Sequence, residues 1–145
     1  MDSTNSALPA TLESWLQLLE QRHAQSIQLG LDRVAAVRTQ LGPDPDVVLI
    51  TVGGTNGKGS CCAMLEAILL AEGYRVGCYT SPHLLRYNER VRIDGKEVGD
   101  EALVAGFNAV EAARGDTPLT YFEHGTLAAW SVFCATKLDV IILEV

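Results

Sequence analysis

Residues 47–60 read VVLITVGGTNGKGS, and the rest of the chain is best understood outward from them. The first six are mostly β-branched and, apart from Thr51, apolar, which predicts a strand covered on both faces, as in a parallel sheet. Glycines follow at once, and a mainly apolar stretch over about 59–72 that ends at Gly73 predicts a helix. We therefore expect a strand, a glycine-rich loop and a helix in direct succession.

The glycine-rich loop has the features of a nucleotide phosphate site. Its glycines allow backbone N–H groups to curl around an anion, and the helix that begins there directs its unsatisfied N–H groups and positive dipole end at the same place. Lys58 stands where a lysine reaches the β and γ phosphates. The residues from Gly53 to Ser60 are therefore predicted to bind ATP or a close relative, and a glycine turn with an incidental lysine is the weaker alternative.

The loop departs from the usual G-x-x-x-x-G-K-[ST] pattern. Val52 stands at the first glycine position, and Gly59 follows the lysine where a hydroxyl normally binds Mg²⁺. Ser60 comes one position late. A magnesium ion at this loop would need an oxygen from elsewhere in the chain.

The remaining pattern predicts an α/β fold with a mostly parallel sheet flanked by helices. Leu12, Trp15, Leu16 and Leu19 have the spacing of a helix with one buried face. The other expected elements are helices from about Asp32 to Gly42, from 101 to 114 after an Asp100 N-cap and over 122–137, strands at 75–80 and 139–145, and a hairpin over 91–98.

The domain organisation follows from the same pattern. Residues 1–10 lack periodicity and are expected to be a disordered tail, and 11–145 are long enough for one domain. A buried strand with no helix after it predicts that the domain is incomplete here.

Two polar residues at predicted strand ends are candidate metal ligands. Ligands in such sheets gather at the carboxyl ends of the strands, where Ser81 and Glu144 lie. A carboxylate there commonly holds Mg²⁺, and burial without a cation would be costly. An incidental hydroxyl in a turn is the alternative reading of Ser81.

Other candidates are less specific. His83, Arg86, Arg90 and Arg92 could hold an anionic substrate or form a solvated basic loop. The residues from Thr120 to Phe122 could form an aromatic wall for a flat ring or belong to the core.

Composition excludes some classes of partner. The net charge of -7 opposes nonspecific binding to nucleic acids and anionic membranes, and no apolar run reaches the length of a bilayer span. The four cysteines form no CxxC motif and are interpreted as small apolar fillers in a reducing compartment. We expect a cytoplasmic protein.

The motifs resemble the Mur-type ADP-forming amide ligases, in the folylpolyglutamate synthase/dihydrofolate synthase branch. The resemblance rests on stretches that span nearly the whole chain in family order: residues 54–60 (GTNGKGS), 29–33 (LGLDR), 80–84 (TSPHL), 88–91 (NERV), 119–123 (LTYFE) and 142–145 (ILEV). The LTYFE form is most similar to the bifunctional bacterial enzymes.

The resemblance implies roles for particular residues. ATP would be bound by Gly54, Thr55, Asn56, Gly57, Lys58, Gly59 and Ser60, with Lys58 catalytic, and Mg²⁺ by Ser81 and Glu144. The substrate would be lined by Gln28, Leu29, Gly30, His83, Thr120, Tyr121, Phe122 and Glu123. Ser81 would then supply the hydroxyl missing after Lys58.

The implied reaction adds L-glutamate to dihydropteroate or to folates through an acyl phosphate. Family members are about three times this length, and the implied glutamate-binding C-terminal domain lies outside this sequence, so the chain alone is expected to be inactive. A monomer is expected. A small-molecule kinase with an ordinary phosphate loop and a non-catalytic nucleotide-binding module are the alternatives.

Overall fold

The computed structural model describes residues 7–23 and 30–145, and these form a mixed five-stranded sheet with helices on both faces. This confirms the predicted α/β class. The elements in these ranges are α1 (Leu12–His23), α2 (Asp32–Leu41), β1 (Val48–Val52), α3 (Lys58–Ala71), β2 (Val76–Tyr79), a 3-10 helix (Tyr87–Arg90), β3 (Val91–Ile93), β4 (Lys96–Glu97), α4 (Asp100–Arg114), α5 (Tyr121–Cys134) and β5 (Val140–Glu144).

The strand order is β1-β5-β2-β3-β4. The first three strands are parallel, and β3 and β4 extend the sheet as an antiparallel hairpin. β5 lies between β1 and β2 and pairs with both. The two strands joined by α3 are therefore not neighbours, and the carboxyl ends of three parallel strands meet at one edge.

Two apolar cores lie on opposite faces of the sheet, because successive strand residues point to opposite sides. Cys78 and Ile142 pack under α3 in the smaller core. Tyr79 and Ile141 join the larger core with α1, α2, α4 and α5. Trp15, which the helical spacing predicts to be buried, is fully inaccessible in the larger core.

The position of β1 corrects one sequence expectation. β5 is buried as predicted except at the partly buried Leu143, but β1 is not: Val48 is 60% and Leu49 49% exposed. β1 forms the edge of the sheet formed by the described residues, so it has a paired neighbour on one side only. Burial of an apolar strand depends on what packs against it and cannot be read from its own residues.

Two further expectations were wrong in detail. Gly99, not Asp100, is the N-cap of α4, and the Asp100 carboxylate instead accepts a hydrogen bond from Asn88 Nδ2 at 2.9 Å. Cys62 and Cys78 are buried fillers as expected, whereas Cys61 and Cys134 are exposed. Within the described ranges no helix has the length and apolar character of a membrane span.

Candidate active site

The loop between β1 and α3 is shaped by glycine. Gly57 is the N-cap of α3 with φ 75°, and Gly54 has φ 150°, both in the region that favours glycine. Since no side chain caps α3 and its first turn holds no acidic residue, the N–H groups there are free of local competition for an anion. The helix dipole adds a positive field at the same point. This geometry can bind a phosphate group.

Lys58 is the first residue of α3, and its ammonium lies back across the loop. Its Nζ donates a hydrogen bond to the Gly54 carbonyl at 2.7 Å. A Cβ on Gly54 would lie 4.0 Å from Lys58 Cγ, an ordinary contact, so the positive φ and not a lack of space favours glycine there. The ammonium is thus held against the loop whose geometry can bind a phosphate group.

Glu144 ends β5 beside the loop. The sheet register pairs it with Val52, the last residue of β1, and the N–H of Val145 donates to the Val52 carbonyl at 2.9 Å. Glu144 follows Ile142 by two residues in β5, and Ile142 packs under α3, so the Glu144 side chain points to the same face of the sheet. The Glu144 side chain therefore lies on the same face of the sheet as α3 and the loop before it.

The Glu144 side chain is only 9% exposed and makes no ion pair or hydrogen bond with any other residue that the structure describes. Every fully buried side-chain oxygen in those ranges has a hydrogen-bond partner, whereas the Glu144 oxygens have none there. The Glu144 oxygens are therefore not fully buried and reach the surface at the end of β5. A nearly buried carboxylate of this kind is suited to a cation.

Ser81 lies in the loop two residues beyond the end of β2, the strand next to β5, and is half-buried before a cis peptide bond to Pro82. β2 pairs with β5 up to Tyr79 and Leu143, so Ser81 and Glu144 follow adjacent strand ends. In residues 7–23 and 30–145, no group of three or more His, Cys, Asp or Glu side chains is placed to hold a metal ion. One hydroxyl and one carboxylate fit Mg²⁺, because this ion keeps several waters and takes further oxygens from phosphates.

The loop after Ser81 is held by Glu89. Its carboxylate accepts hydrogen bonds from the N–H groups of Leu84, Leu85 and Arg86 at 2.9, 2.7 and 2.7 Å. These bonds lower the pKa of Glu89 to about 2. The loop has a defined shape although Leu84 and Leu85 are about nine-tenths exposed, at 89% and 91%.

His83 lies in a cluster with Arg90 and two tyrosines. Its Nδ1 accepts a hydrogen bond from Arg90 Nε at 2.8 Å, and because a guanidinium only donates, the ring proton lies on Nε2. Arg90 lies over the Tyr87 ring at 5.1 Å, and the Tyr87 ring meets that of Tyr121 edge-on at 6.3 Å. Through Tyr87 the structure brings His83 close to the start of α5.

The predicted substrate residues at the start of α5 have different environments. Thr120 Oγ1 accepts from the Glu123 N–H at 3.1 Å, and Glu123 Oε2 accepts from the Thr120 N–H at 2.9 Å, which is a capping box. Phe122 is 49% exposed and Tyr121 packs on Tyr87. Phe122 is thus the ring presented to the surface, whereas Thr120 and Glu123 shape the turn.

The T-x-x-E spacing of residues 120–123 is a helix-start signal, so α5 begins one residue before the predicted start. Sequence reasoning also missed the partner of Glu123. Arg33, in the first turn of α2, donates to Glu123 Oε1 at 2.7 Å. No pattern within either segment indicates that pairing.

The remaining predicted residues are only partly accounted for. Gln28 and Leu29 lie outside the described residues, and Gly30 has φ 129° just before α2. Arg92 does not belong to the basic loop: it lies in β3 and pairs with Glu66 of α3 at 2.9 Å. Its side chain alternates to the α3 face of the sheet, on which Cys78 also lies.

The chain is similar to known proteins over nearly all of its length, although no protein-family model matches it. It is 54% identical over 135 residues to a dihydrofolate synthase/folylpolyglutamate synthase of Escherichia coli (strain K12), covering 92% of this chain and 32% of that relative. A Haemophilus influenzae relative with the same description is 52% identical over 144 residues. The chain spans about a third of the length of the curated relatives it matches.

Solved structures are also similar to this chain. E. coli FolC in complex with DHPP and ADP superposes with a TM-score of 0.87 at 52% identity, over 95% of this chain and 34% of that one. A Yersinia pestis bifunctional folylpolyglutamate synthase/dihydrofolate synthase complexed with AMPPNP and Mn ion gives a TM-score of 0.86 at 52% identity, with the same coverage. The chain therefore belongs to the dihydrofolate synthase/folylpolyglutamate synthase family.

Proposed function

We propose that this chain forms the ATP site and part of the pterin site of an ATP-dependent ligase that adds L-glutamate to dihydropteroate, to folates or to both. The observation that carries the proposal is the juxtaposition at one sheet edge of the Gly54–Ser60 loop, Lys58 and the nearly buried Glu144. The nucleotide and manganese complexes of relatives at about half identity support it.

In the proposed reaction a carboxylate oxygen of the pterin substrate attacks the γ-phosphorus of ATP, and the bond to the β-phosphate oxygen breaks to release ADP. The amine of L-glutamate then attacks the acyl carbon of the acyl phosphate. The carbon–oxygen bond to phosphate breaks, the amine loses a proton, and an amide and inorganic phosphate remain.

The residues of this chain would act mainly on the phosphates. Backbone N–H groups at the start of α3 bind them, and Lys58 offsets the negative charge that develops as the phosphoryl group transfers. Ser81 and Glu144 would hold Mg²⁺, which supplies charge neutralisation at the phosphate oxygens. Gly30, His83 and the residues from Thr120 to Glu123, with Gln28 and Leu29, would line the pterin.

The test is ADP release by the complete gene product supplied with ATP, Mg²⁺, dihydropteroate or a folate, and L-glutamate. We expect turnover only with both other substrates present. Lys58→Ala should lower kcat at least about a hundredfold, since charge stabilisation of transferring groups is worth that much. Lys58→Arg is the matched variant that keeps the charge and should retain more activity.

Three results would contradict the proposal. One is ADP formation indifferent to the pterin substrate. A phosphorylated pterin or other small molecule as the final product would favour a kinase. Nucleotide binding without any turnover would favour a non-catalytic module.

A further inference from the structure

We infer that the ion pair between Arg33 and Glu123 is a positioning device, which fixes the separation of the two segments that line the pterin. This inference rests on the proposed function and deepens it. The first segment is represented by Gly30, just before α2, and the second by Phe122 at the start of α5.

The pair joins parts of the chain that are 90 residues apart in sequence. Arg33 lies three residues after Gly30, and Glu123 directly follows Phe122. The Nη2–Oε1 distance is 2.7 Å, and the two side chains are only 18% and 13% exposed. A partly buried contact of this kind is screened less by water and salt than a surface pair, so it can hold its geometry.

Helix preferences do not explain an arginine at position 33. A cation in the first turn lies at the positive end of the helix dipole, which is unfavourable. Asp32 already supplies the acidic residue that this turn favours. The pairing with Glu123 offsets that cost, so a contact with α5 stabilises an arginine at this position.

The Glu123 carboxylate is held from two sides. Oε2 accepts from the Thr120 N–H at 2.9 Å, while Oε1 accepts from Arg33. The capping box fixes how the turn enters α5, and the ion pair fixes where that turn lies relative to α2. Together they determine the position of the exposed Phe122 ring relative to Gly30.

A second interhelical ion pair offers a control. Arg22 of α1 pairs with Glu111 of α4 at 2.9 Å, with side chains 35% and 14% exposed. This pair lies in neither proposed substrate segment. Arg22→Gln therefore removes a comparable contact without reaching the pterin.

The experiment measures kcat and the KM values for dihydropteroate and ATP in the complete gene product. Arg33→Gln and Glu123→Gln should each raise the KM for dihydropteroate at least about tenfold, because a 1 Å displacement of a substrate-positioning group can cost about a hundredfold. The KM for ATP should change less than about twofold in both. Glu123→Gln is informative because glutamine can keep the capping box while losing the ion pair.

The double variant and a conservative variant sharpen the test. If the two residues act as one device, Arg33→Gln/Glu123→Gln should have no larger effect than either single variant. Arg33→Lys keeps the charge and should restore part of the affinity for dihydropteroate. It also keeps the test available if Arg33→Gln fails to fold.

Three outcomes would overturn the inference. The first is a KM for dihydropteroate in Arg33→Gln no different from that in Arg22→Gln. The second is a double variant whose effect is the product of the single effects. The third is equal rises in the KM values for both substrates. Wild-type protein that shows no pterin-dependent ADP release would refute the proposed function and the inference with it, whereas the three outcomes above refute the inference alone.

Discussion

At the residue scale, His124 is a buried titratable group with no role in the proposed chemistry. It packs against Trp15 and Phe107, with ring centroids at 5.7 and 5.8 Å, and its Nε2 lies 3.4 Å from the Phe107 carbonyl. Burial lowers the pKa of His124 to about 4, and it outweighs the Phe107 carbonyl and the Glu111 carboxylate, both of which favour the protonated ring. The neutral imidazole is therefore part of the larger core.

The stability of the fold should depend on pH through His124. The unfolded chain takes up a proton below about pH 6.5, while the folded chain does so only near pH 4, so stability falls as pH falls. Between pH 6.5 and 4.5 the free energy of unfolding should drop by about 2 kcal/mol. Urea unfolding of wild type and His124→Leu across this range measures it, and an equal drop in the variant would contradict it.

Glu111, a carboxylate close to His124, titrates at lower pH, so it contributes little to the expected drop between pH 6.5 and 4.5. Burial opposes the ionisation of Glu111, but hydrogen bonds from Arg114 and Arg22 outweigh it and lower the pKa of Glu111 from 4.5 to about 2. Its stabilising contribution is therefore lost only below about pH 4.5. A further fall in stability below that point is expected in wild type and in His124→Leu alike.

At the scale of elements, the start of α3 combines a helix boundary with the proposed phosphate site. A Cβ on Gly57 would meet no atom within 4 Å, so only the backbone conformation, φ 75°, opposes a side chain there. That conformation costs roughly 1–2 kcal/mol for alanine. If the loop relaxes to avoid this cost, its N–H groups no longer converge on one point.

Gly57→Ala should therefore weaken ADP binding about tenfold, the factor that corresponds to 1.4 kcal/mol. Gly42→Ala is the matched control, because Gly42 also has positive φ and open space but lies before β1, at the opposite end of that strand. Gly42→Ala should lose at least as much stability as Gly57→Ala in urea unfolding, because φ 119° and ψ -174° form a conformation that is essentially restricted to glycine. Calorimetric titration with ADP should separate the two variants. Equal ADP affinity in the two variants would show that the loop conformation does not matter for the nucleotide.

The elements themselves could largely be predicted from the sequence, because local spacing carries the information. The Leu12–Leu19 periodicity and the glycine boundaries at 42, 73 and 115 place helix ends within a few residues. Roles that depend on distant partners could not be predicted. The resemblance places Glu123 at the substrate, and no local pattern indicates that its carboxylate accepts hydrogen bonds from the Thr120 N–H and from Arg33 on another helix.

At the scale of the whole molecule, the sheet order creates the candidate site. The local pattern places β1 and β2 on either side of α3, but only the folded chain inserts β5 between them. Residues from Gly54 to Ser60, Ser81 and Glu144 come from three sequence regions and reach one edge because three parallel strands end there. The same arrangement leaves β1 at the edge, which explains why its predicted burial was wrong.

The central claim, that the chain serves a ligase in which the substrate carboxylate attacks ATP, can be tested by following one oxygen atom. The complete gene product is given ATP, Mg²⁺, L-glutamate and dihydropteroate whose carboxylate carries heavy oxygen, and the released phosphate is analysed by mass spectrometry. We predict that one heavy oxygen passes into inorganic phosphate for each amide formed. Phosphate that carries only ordinary oxygen would contradict the account.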